Sequence, residues 1–463
     1  MKNILSRKNN EKGIAIIYIL VFSVIFLILF TVILNFILFE LKINRQSAAS
    51  DQAFFIAEAG VEYYQWCLNH GIENCDTNKD YYNSNGKFLG NFLISATKEV
   101  SCGETIRRQV TVTGITSGFL GTQRKIDVIY GRPSVAKYSY VVAQDVWAGD
   151  DRQIRGLYHS NGGVRMDGTN YSLVTSSQSE WTCTSSFGCD SCPTDHGCRL
   201  SHGNCICPGV FTTTNNANTG LFDYPNTSFS FTNILIQLKN IKDAAVANNS
   251  YFQPSINLDS HGKGYHVILK NNGTYEVWII TGLNHVSGYS DEGGWQEDYF
   301  IISGEYKYGT YNVNPTCGVA FFEDNLWIEG ILKGKMTIAS AWLIDASKTT
   351  SIVLPGNINY TVTDGTDLFG LISQQNILIS PNSPDNMIFG RNHYLNNIKT
   401  LLQMFGSTVS NDRTGTQWTS GGSIVSGYRT REDYVDNNLI YGAPPYMPHL
   451  ESNFRVIRWQ EKR

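Results

Sequence analysis

Charge is scarce in this 463-residue chain: Asp, Glu, Lys and Arg make up only 16% of it, and the formal net charge is -4. Proteins that hold nucleic-acid phosphates do so with clustered Lys and Arg, so this composition excludes nucleic acid as an expected partner. Proline is absent before Pro133, so nothing of that kind interrupts a helix in the first part of the chain. Gly-x-Ser-x-Gly, His-Glu-x-x-His and a phosphate-cradling glycine loop are also missing, which argues against catalysis and leaves no cofactor expected.

The run Ile14 to Phe39 contains no charge at all. As a helix it would extend about 39 Å, enough to cross a hydrocarbon core of about 30 Å. A soluble helix is rarely apolar on every face for so long. Lys2, Arg7, Lys8 and Lys12 precede it against Glu11 alone, so the positive-inside rule predicts a short cytoplasmic N-terminus and an exported remainder. The rival reading is a cleaved secretory signal. The run is longer than a signal core, and no small-x-small cleavage site follows it.

Helical patterning continues through Leu41, Ile43, Ala48, Ala49, Ala53, Phe54, Ile56, Ala57, Val61 and Tyr64 to about Asn69, with polar residues interleaved. Beyond it, 42 Gly, 25 Tyr and 23 Phe favour strands and turns. Glu104 to Ile115 and Gln123 to Tyr130 read as strands, and Asn85-Gly86 as a tight turn. Tyr138 to Val142, Val164 to Met166 and Tyr171 to Val174 follow as short strands. Tyr265 to Lys270, Asn271-Asn272-Gly273 and Thr274 to Ile280 form the clearest hairpin signal. After Cys317, short alternating strands such as Leu326-Trp327-Ile328, Ser351-Ile352-Val353 and Ile377-Leu378-Ile379 are separated by irregular turns. Tyr394 to Phe405 is a candidate short helix.

The predicted fold is α+β overall. A basic leader (1–13) is followed by a long transmembrane helix (14–70, spanning at 14–39) and a small β domain (71–133). Next comes a β-rich domain (134–316) with a cysteine-rich insertion (181–210), then a solenoid-like domain (317–463) ending in a strap (439–463). An irregular parallel β-helix is favoured for the large all-β module, with a sandwich as the alternative.

Ten cysteines in an exported chain point to disulfides. Six of them crowd together: Cys183, Cys189, Cys192, Cys198, Cys205 and Cys207. With His196 and His202 they could instead ligate zinc, but the oxidising compartment favours a disulfide knot. Cys205 and Cys207 are too close in sequence to pair easily, so each is expected to reach an earlier cysteine. Cys67 and Cys75 are the first candidates for a pair at the end of the long helix, and Cys102 and Cys317 remain. Asp76, Asn78 and Asp80 alternate as in a calcium loop, although Tyr81 occupies the glycine position and Lys87 the closing glutamate, so a solvated turn is preferred. Asp364 with Asp367, or Glu323 with Asp324, could serve as acid and base in a carbohydrate-active enzyme. Adjacent strand residues face opposite ways, which counts against the second pair. The aromatic residues suit either a β core or a platform for sugar or peptide.

The first seventy residues resemble the N-terminus of type IV pilins and pseudopilins, in particular the PilX-like minor pilins. The likeness rests on Lys12-Gly13 followed at once by Ile14-Ala15-Ile16-Ile17, and on Gln52-Ala53-Phe54-Phe55-Ile56-Ala57-Glu58-Ala59-Gly60. It implies cleavage by a prepilin peptidase between Gly13 and Ile14, N-methylation of Ile14, and bundling with other pilin subunits in a filament core. Tyr18 stands where most pilins carry a glutamate that neutralises a neighbour's amine, which points to a low-copy or terminal subunit. The expected protein is therefore a non-catalytic, membrane-inserted surface subunit that assembles or adheres, with a possible surface ligand. The alternatives are a single-pass anchored adhesin outside any filament and an anchored carbohydrate-active enzyme.

Overall fold

The computed structural model describes residues 11–72, 74–118, 121–290, 294–345, 347–380, 383, 398–411, 415–420, 423–449 and 453–462. The chain divides into two compact units. The first contains Met1–Thr97, Arg108–Tyr130 and Val456–Arg463, and the second Lys98–Arg107 and Gly131–Arg455.

The first unit is built on one continuous helix, α1 (Glu11–Asn69), about 88 Å long at 1.5 Å per residue. From Ile16 to Ala48 every residue is exposed, with Ile19 and Phe22 among the most exposed apolar side chains. This stretch is long and apolar enough to cross a membrane, compatible with single-pass anchoring. Burial begins at Ala49 and recurs at Ala53, Ile56, Ala57, Gly60, Val61, Tyr64 and Cys67, a three-to-four-residue period that marks one helix face.

That face covers a five-stranded sheet. Its strands, in order, are β1 (Asn78–Tyr82), β2 (Phe88–Ser101), β3 (Glu104–Thr116), β4 (Gln123–Gly131) and the terminal strand Arg455–Lys462. The side chains turned to the helix alternate along each strand: Phe92 and Ile94, Val110 and Val112, Ile126, Val128 and Tyr130. Tyr130 donates its hydroxyl to the Val61 carbonyl at 2.8 Å.

Among its described residues the second unit is rich in strands, with the α-helices Thr232–Ala247 and Asn437–Gly442 and several 3-10 turns. Many of its short strands stack in parallel, although those of the cysteine-rich segment, Glu180–Cys183, Asn204–Pro208 and Arg199–Ser201, pair antiparallel. One stack runs Phe222–Asp223, Val174–Ser176, Leu157–Ser160, Tyr138–Val142, Thr408–Ser410, every neighbour parallel. Another runs Tyr251–Phe252, Val319–Phe322, Lys335–Ser340, Leu368–Ser373, again parallel throughout. Sandwiches are assembled from antiparallel sheets, so these parallel stacks do not have the pairing of the sandwich alternative. Like residues meet on neighbouring parallel strands: Tyr140 stacks on Tyr158 at 4.7 Å, and Phe252 on Phe322 at 4.4 Å.

Several expectations need correction. Residue 317 opens no new domain, because Tyr265–Leu269 pairs directly with Leu326–Leu332 and the second unit runs on through it. Ile398–Phe405 is a strand rather than a helix, because its alternate residues Leu402 and Met404 are buried; Tyr394 to Asn397 lie outside the described residues. The strand expected at Tyr171 begins at Val174. The segment 439–463 is no single strap, since its last strand joins the sheet of the first unit. The predicted hairpin forms as expected, Tyr265–Leu269 pairing antiparallel with Tyr275–Ile279, and its second strand runs on to Ser290 and pairs on its other side with Gly294–Asn312.

Candidate functional site

Gly13 and Ile14, the proposed processing junction, lie within the helical backbone of α1. Tyr18 is 61% exposed on the shaft, and no carboxylate occurs between Ile14 and Phe39. Further along α1, the small residues explain how helix and sheet approach each other. A Cβ on Gly60 would lie 2.6 Å from a Val112 methyl, and one on Gly114 would meet backbone atoms of Ala53 and Ala57. The Ala-Glu-Ala-Gly segment thus has a packing reason: only small side chains fit between α1 and β3. Exposed Phe55 and Trp66 lie off that face.

All ten cysteines are in disulfides: Cys67–Cys75, Cys102–Cys317, Cys183–Cys189, Cys192–Cys205 and Cys198–Cys207. The sulfurs of Cys183, Cys189 and Cys207 lie within 4.8 Å of one another, yet each is already bonded and offers no thiolate to zinc. His196 is near Asp195 and His202 near Ser201, both at the surface. Arg165 fastens this knot to the stack. Its guanidinium donates to Asp167, to the Phe187 and Gly188 carbonyls, and to Thr213 at 2.7–2.8 Å. Asp167 in turn accepts from Trp147 Nε1 and the Thr213 amide.

The calcium candidates do not form a loop. Asn78 and Asp80 sit on β1; Asn78 accepts from Asn91, and Asp80 from Tyr82. Asp76 belongs to no cluster of ligating groups found among the described residues.

The paired carboxylates are engaged separately. Glu323 takes the Lys242 ammonium, the Tyr251 hydroxyl and the Leu343 amide. Asp324 takes the Ser255 amide and hydroxyl at 2.8 and 2.7 Å, on a different set of partners. Burial raises the Asp324 carboxyl above the usual carboxylate range, against the lowering effect of those hydrogen bonds. Asp367 caps the Gly334 and Val362 amides, and Asp364 binds the amide and hydroxyl of Thr366. The Thr366 bonds hold the Asp364 carboxyl below its ordinary value.

A cleft of about 1440 Å³ opens in the second unit, walled by Phe229, Tyr360, Phe369, Leu371, Met404 and Phe405 among others. Pro444, Met447 and Pro448, from the expected strap, border it. Its lining comes from residues scattered between 135 and 448, so no local motif could reveal it.

No protein-family model matches the chain, and no curated protein matches it. Among solved structures, the competence-associated pilin ComZ from Thermus thermophilus aligns with 89% of this chain and 97% of its own, at 11% identity and a TM-score of 0.24. A TM-score that low carries no structural argument.

Proposed function

We propose that the chain is a low-copy, type IV pilin-like subunit, inserted in the membrane through α1 and assembled into a pilus or related filament. The observation that carries this reading is the continuity of α1. One helix presents an apolar, fully exposed shaft from Ile16 onward and then, without a break, a small-residue face buried on a compact sheet. The shaft needs an apolar surrounding, first lipid and then neighbouring helices, because its exposed area is far larger than water tolerates on a soluble protein. Prepilin peptidase and other pilin subunits are the partners that follow. With Tyr18 in place of a carboxylate, α1 has nothing to neutralise a neighbour's terminal amine in an apolar bundle, which suits a terminal position over a repeating one. The second unit is the outward-facing, non-catalytic module, a role supported by the separate structural duties of Glu323, Asp324, Asp364 and Asp367.

The N-terminus decides it. Mass spectrometry of native protein should find a chain beginning at N-methylated Ile14; an intact Met1, or a cut beyond Phe39, would sink the filament reading in favour of a simple anchor or a secretory signal.

A further inference from the structure

The cleft in the second unit is bounded by the end strands of four sheets: Leu368–Ser373, Ile377–Ile379, Ile398–Phe405 and Thr408–Ser410. In a chain with 16% charged residues, the described lining contains no Asp, Glu, Lys, Arg or His. An ionic ligand would lose its hydration there and gain no counter-charge from these residues. The lining is not simply greasy, however. The side-chain amides of Asn359 and Asn376 have no protein partner among the described residues, and the buried Ser407 hydroxyl has none either. Gln374 uses its oxygen on the Trp342 amide and keeps its NH2 group. Beside these groups stand the Tyr360 ring and Phe405, which is 48% exposed.

We propose that this cleft binds an uncharged oligosaccharide. A sugar offers hydroxyls that both donate and accept, matched by carboxamides that do the same, and C–H faces that pack on aromatic rings. An acyl chain would leave the buried Ser407 hydroxyl unpaired and would strip water from the amides without replacing it. A peptide could add to the sheet edges, but Ile377–Ile379 and Thr408–Ser410 are three residues long and give it few ladder bonds. Small-molecule sites usually span about 300–1,000 Å³, so the observed volume suits several linked sugar rings rather than one.

The test uses the full chain in lipid nanodiscs, since glycosidic detergents would compete. It is applied to an array of neutral glycans, including maltohexaose, cellohexaose and chitohexaose, beside anionic alginate and polygalacturonate oligomers. The expected result is binding to at least one neutral glycan and to no anionic one, with Phe405→Ala and Asn376→Ala each raising Kd about tenfold by calorimetry. Both positions carry solvent-accessible side chains, so circular dichroism should show folded variants. Binding to no neutral glycan, equal binding to anionic ones, wild-type affinity in both variants, or displacement of the glycan by an extended Thr-Val decapeptide would each overturn the proposal. The cleft holds its sugar whether or not α1 enters a filament, so this titration and the N-terminal mass measurement fail independently.

Discussion

A Cβ placed on Gly114 would sit 2.0 Å from the carbonyl oxygen of Ala53, closer than any side chain can approach. The contact fixes how deeply α1 beds onto β3, since neither partner is a flexible side chain that could swing away. Gly114→Ala must therefore push helix from sheet. The expected loss is about 1–3 kcal/mol, read as a lowered urea midpoint for the first unit. An unchanged midpoint would show that the helix can rise without penalty.

His266 is buried between two carboxylates, with Nδ1 2.9 Å from Glu305 and Nε2 3.3 Å from Glu329. Burial alone would lower its pKa, but the bonds to Glu305 and Glu329 override that and raise it to about 9. A folded-state pKa above the ordinary 6.5 means the stabilisation is complete below about pH 6.5 and is lost as pH rises through 9. Thermal unfolding of the second unit should accordingly show a midpoint that falls between pH 6.5 and 9.5, and His266→Gln should flatten that part of the profile. A wild-type profile as flat as the variant's would count against the raised pKa.

The disulfides should differ in worth according to the loops they close. Cys67–Cys75 spans 8 residues and Cys102–Cys317 spans 215. Chain entropy alone assigns them about 2.5 and about 5.4 kcal/mol. Replacing Cys102 and Cys317 together by serine should lower the denaturation midpoint of the second unit much more than the Cys67/Cys75 double replacement lowers that of the first. Equal losses would place the stabilisation outside loop entropy.

Among the described residues, Arg165 is the single cation that binds the buried Asp167. Arg165→Leu leaves that carboxylate without its counter-charge and frees the Phe187 and Gly188 carbonyls. A destabilisation of about 3–5 kcal/mol is expected. Limited proteolysis should show new cleavage between 184 and 204 in the variant; a wild-type digestion pattern would mean the disulfides alone hold the knot in place.

What was legible in the sequence was whatever a local period or a single turn encodes. The charge-free run from Ile14, the face Ala53-Ile56-Ala57-Gly60 and the Asn272-Gly273 turn each state their structure within a few residues. The helix Thr232–Ala247 carries the same kind of signal, since Leu238, Ile241 and Ala245 are spaced for one buried face, but it is short and stands alone among strands and turns. The parallel ladders were only partly legible, because three-residue strands such as Ile352–Leu354 carry too little alternation to reveal their partners. The cleft was not legible at all. Neutral residues such as Asn359 and Asn376 announce no chemistry until the fold gathers them, and the Arg165–Asp167 hub depends on carbonyls that any residue could supply.

The terminal strand Arg455–Lys462 completes a sheet begun by residues near the start of the chain, and Arg124 reaches Glu461 across 337 positions. During synthesis, then, α1 is made long before the sheet that covers its second half gains the strand Arg455–Lys462. The first unit waits, with β4 as a provisional edge, while the long stretch of the second unit from Gly131 onward is made. Premature pairing of that open edge with a neighbouring chain is the hazard of this order, and the charged strand RVIRWQEK arriving last is what closes it.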